Sequence, residues 1–175
     1  NNMGLRELTA ELHSKAEKME FSQRMVRGEL SKKEYQHYLI QQASIFQCIE
    51  EHKLADIGPD MARLTKIFDD IMELSKDISD SLPTIEATTK YGTYLEGLKT
   101  KDLYPHIYLN YMALMFGGQI MKSKIPGKGR MYDFDNVPEL VARIRSVQKD
   151  EWADEVNKGF QYIINILDEL QTHSK

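Results

Sequence analysis

The sequence predicts an all-α fold, and three observations carry that prediction. Apolar residues recur three and four apart through most of the chain, the spacing of one buried helix face. No stretch alternates strictly between apolar and polar residues within turn boundaries, as a half-buried strand would. Glycines, prolines and a capping pair fall between the periodic stretches, where helices should stop and start. The 175 residues are read as one domain, 1–175, because a single core usually serves about 100–200 residues before a chain divides. Asn1 and Asn2, ahead of Met3, are read as an expression scar and carry no argument.

The elements follow in order. Leu5, Leu8, Leu12, Ala16 and Met19 form the stripe of a first helix, and Phe21, Met25 and Val26 a short second one ending near Gly28. Ser31 and Glu34 make a capping box that opens a long helix with Tyr35, Leu39, Ile45, Phe46 and Ile49 inward. Gly58 and Pro59 break the chain before a helical stretch through Leu64, Ile67, Ile71 and Leu74. Pro83 and Pro105 each have a backbone pre-set for a helix start, and from Pro105 a helix runs through Gln119 and Met121. Residues 125–129 form the clearest loop. In the last helix Trp152, Val156, Phe160, Ile163, Leu167 and Leu170 step by threes and fours.

Composition narrows the function. Hydrophobic residues make up 41%, enough to close a core and too much for a disordered chain. With 23 Lys+Arg against 27 Asp+Glu, the net charge of -4 argues against a nucleic-acid binder, whose affinity rests on a basic surface. Cys48 is the single cysteine, so no internal disulfide or thiolate zinc cage can form, as suits a reducing compartment. No run reaches the roughly 18 apolar residues of a membrane span, and no signal-peptide layout opens the chain. The expectation is a soluble cytoplasmic protein with neither membrane nor nucleic acid as partner.

Two clusters could carry chemistry. At about 100° per residue, Arg6, His13 and Glu17 fall within roughly 40° of one another at the border of the apolar stripe. Glu17, four residues on, can accept a hydrogen bond from one ring nitrogen of His13 and leave the other free to bind a metal. An ordinary border histidine with an i,i+4 ion pair is the competing reading. Gly117 and Gly118 sit inside a strongly apolar helical run, where each costs about 1 kcal/mol relative to alanine. Asn110, Ala113, Leu114 and Gly117 share one face on the wheel, a nearly bare strip wide enough for a planar ligand. A close helix crossing or a kink is the alternative.

These residues resemble the heme oxygenase family. Leu5-Arg6-Glu7, Thr9, the run from Leu12 to Glu17, Glu20-Phe21 and Gly28 are similar to its proximal helix. Tyr108, Leu109, Tyr111 and Phe116-Gly117-Gly118-Gln119 resemble its distal helix. Tyr132-Asp133-Phe134, Ile144-Arg145-Ser146 and the helix from Phe160 to Leu170, with Asn165, resemble its C-terminal third. The resemblance implies haem as both cofactor and substrate, cleaved with O2 to biliverdin of the IXα isomer, CO and ferrous iron. It implies His13 as iron ligand with Glu17 holding it, and Arg6, Tyr108 and Arg145 on the propionates. Met25 would lie near the haem, and Ala113, Gly117 and Gly118 against its face, while a propionate-binding lysine of the family is absent at Val141.

The family's distal aspartate is replaced by Leu114 and a neighbouring serine by Phe116. In the family that aspartate anchors the water network that protonates the bound dioxygen, so Asn110, one turn away, is the candidate to hold water instead. A haem-binding storage, delivery or sensor protein that lost efficient oxygenase activity is the alternative. No flavin or nicotinamide fingerprint is present, so electrons would come from a partner, with ferredoxin the expected donor. Candidate docking patches are Arg24, Arg27, Lys32 and Lys33, and separately Lys122, Lys124, Lys128 and Arg130. The tail-anchored branch of the family is not expected, since no C-terminal apolar segment is present.

Three further readings are weaker. Glu34-Tyr35-Gln36-His37 with Glu50, Glu51 and His52 would suit a di-metal carboxylate site, but supply only one complete Glu-x-x-His element. A thiaminase-like reaction would need Cys48 as nucleophile, and its apolar neighbours point to core. His106 and His173 are expected to face solvent.

Overall fold

The computed structural model describes residues 3–52 and 58–174, so Asn1 and Asn2 lie outside it. All regular structure among the described residues is helical, as the periodicity predicted. The helices are α1 (Leu5–Leu8), α2 (Ala10–Glu17), α3 (Glu20–Val26), α4 (Lys32–Glu50), α5 (Leu64–Ser75), α6 (Glu86–Glu96), α7 (Thr100–Lys122), α8 (Val137–Val147) and α9 (Ala153–His173). Short 3-10 turns at Pro59–Met61, Arg130–Tyr132 and Asp150–Trp152 join them. None of these helices is long and apolar enough to cross a membrane.

Three boundaries differ from the sequence expectation. The first helix is divided at Thr9, whose hydroxyl donates to the Leu5 carbonyl at 2.9 Å, a local bond that competes with the helical ladder. The backbone N–H of Leu5 is taken up by Asp150 Oδ1 at 3.0 Å. α6 begins after Ile85 rather than at Pro83, because Glu169 of α9 accepts the first-turn N–H groups of Glu86 and Ala87 at 3.2 and 2.9 Å. α7 begins at Thr100, and Pro105 lies inside it, where the missing N–H removes one ladder bond. The capping box of α4 is as expected: Ser31 Oγ accepts from Glu34 N at 3.1 Å and Glu34 Oε1 from Ser31 N at 2.9 Å.

The main core is built from α3 to α8 and the last turns of α9, with Tyr35, Leu39, Phe46, Ile49, Ile67, Tyr91, Tyr111, Ile144 and Leu170 fully enclosed. A buried arginine closes its far side. Arg63 donates to the carbonyls of Met61, Met131 and Asp133 at 3.1, 3.0 and 2.6 Å and lies 3.5 Å from the centre of the Phe134 ring. Burial pulls its pKa down to about 10, against the nearby Tyr111 and Glu50. It thereby pins the Arg130–Tyr132 turn against the start of α5. A smaller core, of Leu5, Ala16, Leu109, Val156, Phe160 and Ile164, joins α1, α2, α7 and α9. Through it α9 carries α2 on one flank and α7 on the other.

The α7–α9 crossing depends on Gly159. A Cβ there would lie 2.5 Å from Leu109 Cδ2 and 3.1 Å from His106 Nδ1. Gly159→Ala is expected to destabilise the fold by about 1–3 kcal/mol, read as a lower urea midpoint with an unchanged m-value.

Candidate functional site

The site is built on the two helices that α9 holds. On α2 the His13 ring is exposed, and its Nε2 lies 3.3 Å from Glu17 Oε1. Glu17 thus stands beside one ring nitrogen, with Nδ1 as the other. The ring is held flat, stacked on Phe160 of α9 at 5.3 Å and 20°. The stack and the nearby carboxylate together orient the imidazole.

On α7 the structure corrects the sequence expectation of a shared face. Ala113 and Gly117 are exposed, whereas Leu114 and Asn110 are buried at 6% and 8% exposure. The open strip runs through Ala113, Phe116, Gly117 and Ile120, with Leu114 on its inward side, so the two adjacent glycines do different work. A Cβ on Gly117 would meet nothing within 4 Å, while one on Gly118 would press on Tyr132 at 3.3 Å. Phe116 and Ile120 are 61% and 69% exposed, so this strip presents adjacent apolar surface that a flat ligand could cover.

Three groups from three elements meet at one end. Tyr108 of α7 is half-buried, and burial raises its phenol pKa while the charges of Arg145 (α8) and Arg6 (α1) draw it down. The Arg145 guanidinium also stands 5.7 Å from the Phe116 ring centre. Two cations and a phenol beside an open apolar strip suit a flat ligand with anionic substituents. Met25 and Val141 are enclosed in the main core.

The fate of the other candidates is clear. His106, expected to face solvent, is fully buried, because α7 starts earlier than Pro105 suggested and α6 and α9 cover its second turn. His106 Nδ1 lies 2.7 Å from Tyr91 Oη and its Nε2 2.9 Å from Glu155 Oε1. Tyr94 Oη also donates to Glu155 Oε1, and Asn110 Nδ2 donates to Tyr91 Oη and the His106 carbonyl at 3.1 and 2.8 Å. Sequence reading missed this network; the His106/Asn110 spacing of one turn was its only trace. His173 is half-exposed, its ring edge-on to His37 at 5.5 Å.

Among the described residues no cluster of three or more His, Cys, Asp or Glu could hold a metal ion. Glu50 instead accepts from Arg63 N, Leu64 N and Tyr111 Oη at 2.7, 3.2 and 2.8 Å. Cys48 is buried, and burial with Glu96 nearby pushes its thiol up to about 11, far from a nucleophile's range. The two basic patches are laced with carboxylates, including Arg24–Glu34 at 2.6 Å, Lys32–Asp77 at 2.8 Å and Lys122–Asp133 at 2.5 Å.

Residues 2–166 match the family described as heme oxygenase. The chain belongs to the heme oxygenase family. Among curated relatives, heme oxygenase 1 of Bos taurus is 21% identical over 95% of this chain and 70% of that protein. Among solved structures, heme oxygenase-1 from the cyanobacterium Synechocystis in complex with heme superposes with a TM-score of 0.80 at 20% identity, covering 97% of this chain and 91% of that one. The heme oxygenase from Leptospira interrogans gives a TM-score of 0.79 at 22% identity, over 95% and 100% of the two chains. At these identities the superpositions show the heme oxygenase fold.

Two outcomes follow from this geometry. Gly117→Ala should leave the urea midpoint unchanged or raised, since alanine is favoured in the helix by about 1 kcal/mol, whereas Gly118→Leu should lower it by overpacking on Tyr132 by about 1–3 kcal/mol. Burial also depresses the His106 pKa below its ordinary value, outweighing Glu155. The unfolded chain then binds the extra proton first, so stability is full above the unfolded histidine value of about 6.5 and is lost as pH falls below it. Urea unfolding across that window should show a smaller pH dependence in His106→Gln than in the parent.

Proposed function

We propose that this chain binds haem between α2 and α7 and oxidises it with O2 and external electrons to biliverdin, CO and ferrous iron. The single observation that carries this reading is the oriented His13 ring, held by Glu17 and Phe160 on the same α9 that supports the bare Ala113/Gly117 strip. The residues present fit haem. A flat apolar macrocycle would cover Phe116 and Ile120, and its two carboxylates would find Arg6, Arg145 and Tyr108.

Each side chain then has a defined task. His13 offers its free ring nitrogen to the iron, and Glu17 and the stack on Phe160 set the plane of the ring. Arg6, Tyr108 and Arg145 would hold the two haem carboxylates and so bias which meso edge reacts, the α edge for a IXα product. Ala113 and Gly117 permit close approach of α7, and Phe116 on the strip keeps water off that side. Haem itself supplies the oxygen-activating chemistry when bound. A ferredoxin delivers the electrons, in a reducing cytoplasm that suits the unpaired Cys48.

Leu114 favours a second reading, a haem carrier or sensor. Where an acid would stand, the chain has a buried leucine, and the amide hydrogens of Asn110 are committed inward. A haemin titration followed by ferredoxin, its reductase and NADPH in air separates the two. Saturable binding lost in His13→Ala, then decay of the Soret band with growth of a biliverdin spectrum, is the expected result. Binding with a stable haem spectrum would make the protein a carrier or sensor, and no saturable binding would overturn both.

A further inference from the structure

The polar network behind α7 has a direction, and that direction decides what Asn110 can offer. Both ends are fixed by groups that only accept hydrogen bonds. At one end is the backbone carbonyl of His106, 2.8 Å from Asn110 Nδ2. At the other is the Glu155 carboxylate, whose pKa is held low because hydrogen bonds from His106 and Tyr94 outweigh the effect of burial.

With the His106 ring neutral, as its burial favours, one assignment of hydrogens satisfies every link between them. Glu155 Oε1 accepts, so His106 Nε2, 2.9 Å away, carries the ring proton. The neutral ring then presents a lone pair at Nδ1, so Tyr91 donates its hydroxyl hydrogen there across 2.7 Å. The Tyr91 oxygen in turn accepts from Asn110 Nδ2 at 3.1 Å. Both amide hydrogens of Asn110 are therefore spent inside the protein, and Oδ1 is the hydrogen-bonding atom left over.

We infer that Glu155, His106 and Tyr91 are positioning residues that lock the Asn110 carboxamide so that it offers an acceptor, and never a donor, at the edge of the α7 strip. Asn110 lies one turn before Ala113 and two before Gly117, at that edge of the helix. This deepens the haem reading and rests on it. An acceptor cannot bond the oxygen of a bound diatomic ligand directly. It can hold a water by one hydrogen, which leaves that water's second hydrogen to point at the ligand. The chain so replaces an absent carboxylate with a neutral acceptor whose orientation is set from α9, across two helix interfaces. The network is packed round by rings and charge: Tyr162 stacks on Tyr91 at 5.0 Å, and Lys158 stands 4.8 Å from the Tyr94 ring centre.

The test has two arms. In haem-free protein at neutral pH, 15N NMR of the His106 ring should show the Nε2–H tautomer in the parent and a loss of that preference in Glu155→Leu. An Nδ1–H tautomer or an imidazolium in the parent would overturn the assignment, whatever haem does. In the haem-loaded protein, Glu155→Leu should slow bilin formation by roughly tenfold with haemin affinity kept within about twofold. Its effect should vanish in an Asn110→Ala background, since the two side chains do not touch and communicate only through Tyr91 and His106. Additive losses in that cycle would overturn the positioning role while leaving haem binding intact. Failure of haemin to bind at all would overturn the haem reading, and the tautomer would still decide the direction of the chain.

Discussion

The structure depends on how closely α9 can approach α7. Gly159 is the residue that sets it: the space a side chain would need is occupied by Leu109 and by the ring of His106. With α9 seated there, Phe160, the next residue, reaches the opposite flank and stacks on His13. One crossing thus fixes both walls of the candidate site, the imidazole on α2 and the strip on α7. The apolar area that holds both helices to α9 is buried in the small core around Val156 and Ile164.

Buried polar groups follow the same economy of position. Among the described residues no carboxylate pairs with the enclosed Arg63 side chain, and three carbonyls and the Phe134 ring compensate its charge. Glu50 caps the first N–H groups of α5 and takes the Tyr111 hydroxyl, which ties α4, α5 and α7 at one point. Tyr111, Leu114 and Gly118 then present α7's inner face to the main core, where Tyr132 sits against Gly118. The rotation of α7 about its axis is set from both sides: Glu50 and Tyr132 beneath, Glu155 and His106 at the α9 flank. That rotation is what turns Ala113 and Gly117 outward.

Much of this was legible in the sequence, and the parts that were not share a cause. The α4 capping box, the long stripe of α9 and the burial of Cys48 depend on near neighbours or on simple period, and they are read directly. The break at Thr9 was hidden because a side-chain-to-backbone bond competes with a ladder that periodicity alone supports. The start of α7 was misplaced because residues 100–104 carry little apolar period, while Pro105 has the signature of a first turn without being in one. His106 looked exposed for the same reason. For the candidate site, His13, Glu17, Arg6, Tyr108 and Arg145 were proposed from pattern and resemblance, whereas Tyr91, Tyr94 and Glu155 come from elements far apart in sequence. Leu114 was put on the open strip because a wheel gives relative angles and not the direction of solvent.

If position 114 takes the place of the family's distal carboxylate, as the resemblance implies, what matters there is that the Leu114 side chain is buried on the inward side of α7. A carboxylate on the inward side of α7 would sit among buried apolar neighbours, and ionising it there without a partner costs several kcal/mol unless its pKa rises. Leucine removes that penalty and adds to the core, so the position contributes stability here instead of chemistry. Polar function at the strip then has to come from a residue whose partners are already satisfied. Asn110 meets that condition, because its hydrogens are matched within the protein and its remaining oxygen carries no charge to desolvate. A neutral acceptor held rigidly can order water beside a dry face at little cost in stability. It has no proton of its own, so any proton passed to a ligand there must be carried by the water it orders.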